Sequence, residues 1–125
     1  IYYKMLHVLI APIGEILFDA ALNAAAEIDF SVISSERTAG VISLRQEKTA
    51  GKKKYEKRIN VKIKKESDTV IVTTKASSGD VSFFKAAIIG NKALEELTRN
   101  FYSYLFKELK ITDPSQREVS FEDEE

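Results

Sequence analysis

The chain has 125 residues, of which 44% are hydrophobic, and its 19 Lys and Arg balance its 19 Asp and Glu to a formal net charge of zero. This length and apolar content suit one ordinary folded domain and exclude a disordered chain. Cysteine is absent, which excludes disulfides, thiolate zinc sites and cysteine nucleophiles. The single histidine argues against a histidine metal site, and no cofactor is expected.

The first predicted elements are a strand and an alanine-rich helix. The apolar run from Met5 to Ala11 ends at Pro12, which favours a buried strand. It is too short for the roughly 20 residues of a membrane-spanning helix, so no transmembrane segment is predicted. We expect the imidazole of His7, within this strand, to face the polar side of the sheet. The helix is predicted over 15–28, with one apolar face made of Leu17, Ala21, Ala24 and Ile28.

Four strand-like segments follow, over 30–34, 41–45, 58–64 and 69–74. Gly40 lies in the first turn between them, where it can take a positive φ. In the third segment apolar residues alternate with charged ones, which predicts one buried face and one wet, cationic face. Three hairpin connections in a row predict an antiparallel meander.

A second helix is predicted from Asn91, on an apolar stripe made of Leu94, Leu97, Phe101, Leu105 and Leu109, with Tyr104 beside it. Residues 81–90 before it fit either an edge strand or a loop. The aromatic residues that interleave with the stripe are expected to complete the core, or to leave one exposed aromatic edge: Tyr102, Tyr104 and Phe106.

The element order β-α-β-β-β-β-α predicts an α+β fold in which two helices pack on one face of an antiparallel sheet. The other face would be exposed and would carry Ser43, Arg45, Arg58, Lys62 and Lys64. Residues 1–112 are expected to form this single domain. Residues 113–125 hold six acids against one arginine and are expected to form a flexible, solvated tail. The part of this tail from Glu118 to Glu125 is expected to screen the basic residues from Lys52 to Lys65 transiently.

One segment resembles a known family. The residues from Ile16 to Arg45, which include Phe-Asp-Ala-Ala-Leu and Gly-Val-Ile-Ser, are similar to small helix-grip-like domains of bacterial envelope lipoproteins. These include the C-terminal domains of the lipoprotein C subunit of the outer-membrane barrel assembly machine. The resemblance implies a scaffolding role at the periplasm or the outer-membrane periphery, and it supplies no catalytic residues. Two features depart from the family: the hairpin is unusually rich in lysine, and no lipidated cysteine is present.

The most unusual feature of the sequence is the basic hairpin, Arg45 to Lys65, which holds ten Lys and Arg against two Glu. It could bind phosphate groups of nucleic acid or of anionic lipid, through Lys52, Lys53, Lys54, Lys57, Arg58, Lys62 and Lys64. It could also bind a protein partner. The plain alternative is a solvated hairpin whose lysines discourage edge-to-edge sheet pairing.

Nothing in the sequence indicates catalysis. Nucleotide-binding, nucleophile-elbow and zinc-protease motifs do not occur. The helix carboxylates are interpreted as dipole and solubility residues: Glu15, Asp19, Glu95 and Glu96. We therefore expect a non-enzymatic interaction or scaffold domain, with another protein as its partner. Polyanion binding through the basic hairpin is the alternative, and a carrier of a small apolar ligand between helix and sheet is a weaker one.

Overall fold

The computed structural model describes residues 2–10, 14–51, 53–78, 91–110 and 121–122. The predicted order of elements is confirmed, and one short strand is added at its end. The elements are β1 (Tyr2–Ile10), α1 (Gly14–Glu27), β2 (Ser31–Glu36), β3 (Val41–Ala50), β4 (Lys53–Lys65), β5 (Thr69–Ser78), α2 (Asn91–Glu108) and β6 (Phe121–Glu122). The ambiguous segment 81–90 lies outside the described residues.

The described strands form one antiparallel sheet in the order β2-β3-β4-β5-β1-β6. Strands β2 to β5 are the predicted meander, and β1 lies on the far side of β5, with Leu6 opposite Thr73. The outer edge of β1 receives β6, in which Phe121 and Glu122 pair with Lys4 and Tyr3. Two residues of the expected tail are thus part of the sheet, and the rest of 113–125 lies outside the described residues.

Both helices cover the same face of the sheet, as the sequence predicted. In β4 the side chains of Ile59 and Val61 are buried, whereas those of Asn60 and Lys62 between them are exposed. The helices bury the faces that the periodicity indicated, with Leu17, Ala21, Ala24, Leu94, Phe101, Leu105 and Leu109 all in the core. Fully burying a large apolar side chain contributes about 1.5–3 kcal/mol, so this shared core holds the two layers together.

The position predicted for His7 is wrong. Its side chain is buried against α2, with ring centroids 4.1 Å from Tyr102 and 5.1 Å from Phe106. His7 alternates in phase with Met5 and Leu9, which are both buried, so the period of two along β1 places all three under the helices. Of the interleaving aromatic residues, Tyr102 is fully buried, while Phe106 is half-buried.

A buried cluster of hydroxyl groups joins α2, β1 and β5 in the middle of the sheet. The Tyr102 hydroxyl donates to the carbonyl oxygen of Val72 at 3.2 Å, and it lies 3.5 Å from the carbonyl oxygen of Met5. The buried Thr74 hydroxyl also approaches the Met5 carbonyl, at 3.5 Å. A hydrogen bond made in this low-dielectric environment is worth about 1 kcal/mol net, so the cluster fixes where α2 meets β1 and β5.

Two contacts hold the β2–β3 turn in place. Gly40 has a φ of +69°, as its predicted turn allowed, and a Cβ there would collide with the backbone carbonyl of Ile63. On the other side of the turn, Arg37 bonds to Asp19 of α1 at 2.6 Å and lies 4.6 Å from the centre of the Phe18 ring. The hydrogen bond and charge of Asp19 raise the pKa of Arg37 above its usual value.

Candidate anion-binding surface

The sheet face that the helices leave uncovered is here called the open face. It is made of the side chains of β1, β3, β4 and β5 that alternate with the buried ones. Among the described residues, six cations lie on it: Lys4, Arg45, Arg58, Lys62, Lys64 and Lys75. Two acids, Glu47 and Glu56, alternate onto the same face, so the open face carries an excess of positive charge although the whole chain is neutral.

Cations of neighbouring strands face each other directly on this surface. Lys4 of β1 is the register partner of Lys75 of β5, and Arg45 of β3 is the partner of Arg58 of β4. Opposed residues on one face have Cβ atoms about 4.5–5.5 Å apart, and like charges at that distance destabilise a sheet. On the same face, the pair of arginines is followed along β3 and β4 by a pair of acids, Glu47 opposite Glu56, whereas the pair of lysines has no acid in the next position of β1 or β5 on that face.

Nearby groups offset only part of this charge. Arg58 forms an ion pair with Glu56, and the Lys64 ammonium lies 3.5 Å from a carboxylate oxygen of Glu66. The Lys75 ammonium lies 3.9 Å from the centre of the Tyr2 ring, a cation–π contact that leaves its charge in place.

Two further cations of the open face have no such neighbour. Within the described part of the chain, no carboxylate is within 4.0 Å of Arg45 or Lys62. The open face keeps a net positive charge.

The open face is apolar along one side. Half-buried side chains of β1 and β5, those of Leu6, Val8 and Ile71, lie beside the cations of β4, and Ile71 is the register partner of Lys64. The surface thus offers cations on all four strands, and apolar contact where Leu6, Val8 and Ile71 of β1 and β5 lie. Such a surface can bind the anionic groups of a ligand and pack against its apolar parts.

The predicted anion-binding residues do not all lie together. Arg58, Lys62 and Lys64 lie on the open face, as do Ser43 and Arg45, which the sequence also assigned to it. Lys53 and Lys54 extend β4, where their backbones pair with Ala50 and Thr49, and Lys52 lies outside the described residues.

Lys57 is on the other side of the sheet. It lines an open groove of about 600 Å³ next to α2, together with Ala93, Glu96, Leu97, Arg99, Asn100 and Ser103. A ligand on the open face cannot reach this groove, so Lys57 and Arg58 belong to different surfaces.

Lys4 and Lys75 are the residues that the sequence analysis missed. The period of two along a strand identifies both as residues of the open face. Lys4 is in phase with Leu6 and Val8, and Lys75 is in phase with Ile71 and Thr73. Both are isolated cations on strands outside the lysine-rich hairpin, so the local density of charge does not reveal them.

The described residues contain neither a metal-ligand cluster nor a membrane-spanning helix. No group of three or more His, Cys, Asp or Glu there is placed to hold a metal ion. None of the described helices is long and apolar enough to span a membrane. Of the helix carboxylates, Asp19 bonds to Arg37 and Glu95 bonds to Arg99 at 3.0 Å.

Comparison with known proteins identifies the fold alone. No family model and no curated protein sequence matches the chain. Among solved structures, the vertebrate conserved region of human METTL16 is similar over 87% of this chain and 99% of that one, with a TM-score of 0.57 and 10% identity. A protein of Thermus thermophilus covers 88% of this chain and 94% of its own, at 13% identity and a TM-score of 0.44. A conserved protein of Geobacillus kaustophilus covers 94% and 99%, at 11% identity and a TM-score of 0.46. The chain thus shares an α+β fold with the METTL16 region.

Proposed function

We propose that this protein is a non-enzymatic binding module and that its open face binds a polyanion. The observation that carries the proposal is the pair of directly opposed cations, Lys4 with Lys75 and Arg45 with Arg58, on one uncovered face. Like charges directly opposite each other in a sheet repel, and the ion pair of Arg58 with Glu56 offsets part of this repulsion at the arginine pair. An anionic group placed between two cations replaces the remaining repulsion with attraction.

The ligand chemistry follows from the shape of the surface. Cations of four neighbouring strands, spaced about 4.8 Å apart, spread positive charge across the sheet instead of gathering it in a pocket. A repeated anion such as a phosphate or sulfate polymer matches this layout better than a single small anion. Binding of this kind releases counterions, so its affinity should fall steeply as salt is added.

The test is a double variant with a matched control. Arg45→Gln with Arg58→Gln removes two positive charges from the open face, and Lys92→Gln with Lys107→Gln removes two exposed charges from α2. With a heparin oligosaccharide as the probe, we expect the first variant to bind at least about tenfold more weakly at low salt, with a salt dependence shallower by nearly two ions. The control should remain within about threefold of the unchanged protein. An equal loss in both variants would mean that net charge, and not the open face, sets the affinity.

A protein partner is the second candidate, and it is favoured by the exposed edge strand β2. All six of its residues are exposed, including Val32 at 46% and Ile33 at 45%, and its outer edge pairs with none of the described strands. Such an edge can accept a further strand. A partner bound there should withstand salt that releases a polyanion, and it should be lost when Val32 is replaced by Lys.

The remaining sequence-based hypotheses stay predictions. The position at the bacterial periplasm or outer-membrane periphery rests on the resemblance of Ile16 to Arg45, and a signal peptide in the full reading frame would support it. A carrier of a small apolar ligand is not favoured, because Leu17, Ile42, Leu44 and Phe101 are fully buried between helices and sheet. Large side chains occupy the space where such a ligand would enter.

A further inference from the structure

We propose that the edge strand β2 pairs with β2 of a second copy of this chain, antiparallel and about a two-fold axis. This inference names the occupant of the edge that the second candidate function leaves open, and it does not rest on polyanion binding. Two observations carry it. The irregularity of β2 matches itself, and the pairing brings a carboxylate toward Arg45.

The exposed apolar residues of the described chain gather at this edge. Its large hydrophobic side chains that remain exposed are Val32, Ile33 and Ile16. Ile16 lies one helical turn before Asp19, whose carboxylate bonds to Arg37, the residue directly after β2. An apolar patch at one edge of a sheet indicates a contact with another protein.

The irregularity of β2 disfavours an ordinary strand as that partner. The pairing of β2 with β3 shifts by one residue between Val32 and Ser34, so Ile33 is an extra residue in the strand. Such a bulge protects an edge, because a regular strand loses its register across it. A second copy carries the same extra residue at the same place. Two copies of β2 therefore stay in register on both sides of the bulge.

The faces of β2 determine how the two copies align. Ser31 and Glu36 pair with residues of β3 on the open face, whereas Val32 and Ser35 pair with buried residues of the covered face. Directly opposed residues of two strands share a face. Over the whole strand, this requirement is met when Ser31 of each copy is opposite Glu36 of the other and Val32 is opposite Ser35. The axis then passes between residues 33 and 34, at the bulge.

This register brings Glu36 of the second copy toward Arg45. Ser31 is the register partner of Arg45, so Glu36 of the second copy, Ser31 and Arg45 form one row across three strands. Two strand spacings, or about 10 Å, separate Glu36 from Arg45, and their long side chains can meet above the small Ser31. Within the described part of a single chain, neither Glu36 nor Arg45 has an oppositely charged group within 4.0 Å. The two-fold axis makes this contact twice.

The size of the contact sets its strength. Strand β2 has six residues, and interfaces that bury less than about 1,200 Å² are weak. We therefore expect a dimer with a Kd of about 10–100 µM, so that dilute protein is monomeric. In the dimer the axis is perpendicular to the sheet, and the open faces of both copies lie on the same side.

The test is an exchange of charges, measured by sedimentation equilibrium at low salt. Glu36→Arg places an arginine beside Arg45 of the other copy, and Arg45→Glu places two glutamates together. We expect each single variant to raise the dimer Kd at least about tenfold, and the double variant to restore it to within about threefold. Glu96→Arg makes the same change of charge on an exposed residue of α2 and should alter the Kd by less than about twofold. Circular dichroism of each variant checks that the fold is kept.

Three results would overturn the proposal. One is an unchanged protein that is still monomeric at about 500 µM, well above the expected Kd. Another is a Glu36→Arg variant that dimerises like the unchanged protein. The third is a double variant that fails to recover the dimer, because the register that brings Glu36 to Arg45 would then be wrong. Each of them leaves polyanion binding standing, since heparin affinity is measured on dilute, monomeric protein.

Discussion

The two faces of the sheet differ in chemistry although the same strands build them. On the covered face, the register row of Met5, Thr74, Val61 and Ile42 is buried from one strand to the next. On the open face, the row displaced by one residue holds Lys4 opposite Lys75. The covered face is closely packed, whereas the open face places like charges opposite each other. The burial of the core on the covered face therefore offsets the destabilising effect of charge on the open face.

The largest expected effect comes from two neighbouring residues of β4. Ile59 has 0% of its surface exposed, and Asn60 next to it is exposed on the open face. We expect Ile59→Ala to lower the free energy of unfolding by about 2–5 kcal/mol, because it loses burial and leaves a cavity. Asn60→Ala should change it by less than about 0.5 kcal/mol. Urea unfolding of both variants checks this, and similar losses would mean that the open face is also a packed surface.

A smaller effect is expected at the polar cluster of the covered face. Tyr102→Phe keeps the ring that contacts His7 but removes the hydroxyl that donates to the Val72 carbonyl. We expect a loss of about 1 kcal/mol in the free energy of unfolding, the net worth of one hydrogen bond. Thermal unfolding of Tyr102→Phe beside Tyr104→Phe, whose ring is only half-buried, provides the measurement and its control. Equal stability of Tyr102→Phe and the unchanged protein would show that the hydroxyl does not attach α2 to the sheet.

The smallest expected effect is an increase, and not a loss, in the free energy of unfolding. Arg45→Thr removes one of two directly opposed arginines and introduces a residue with a high β-strand propensity. We expect the free energy of unfolding to rise by about 0.2–0.5 kcal/mol at low salt, and this gain should shrink as salt screens the repulsion. Heparin affinity should fall in the same variant. Stability and affinity that fell together would indicate that Arg45 is needed for folding, which would contradict the proposed division between the faces.

Much of the fold could be predicted because apolar periodicity reports burial. The alternation at Ile59, Val61 and Ile63 gave the correct covered face of β4, and it also gave the correct position of Arg58 and Lys62 on the open face. The stripe of α2 was predicted correctly for the same reason. Gly40 was assigned to a turn with positive φ, since the absence of a Cβ is needed there.

The errors arose where the pattern was ambiguous. In β1 both sets of alternating residues are apolar, so periodicity alone did not decide whether His7 faces the helices or the open side; the charge on Lys4 was the available signal. Strands β3 and β4 extend to Ala50 and from Lys53 because they pair with each other around Gly51, although this part of the sequence has no apolar alternation. Strand β6 has two residues and no pattern that a sequence could show.

The position of β1 in the sheet also bears on when this strand can pair with β5 during synthesis. Strands β2 to β5 each pair with a neighbour in the sequence, but β1 pairs with β5, from Ile10 opposite Thr69 to Tyr2 opposite Ser77. Strand β1 is synthesised before the other described strands, yet it gains this partner only after residues 69–78 have been made. Because closing so long a loop costs entropy, the hairpins can form before β1 is added. The apolar side chains of β1 thus have no sheet partner among β2 to β4, and they gain one only when β5 has been made.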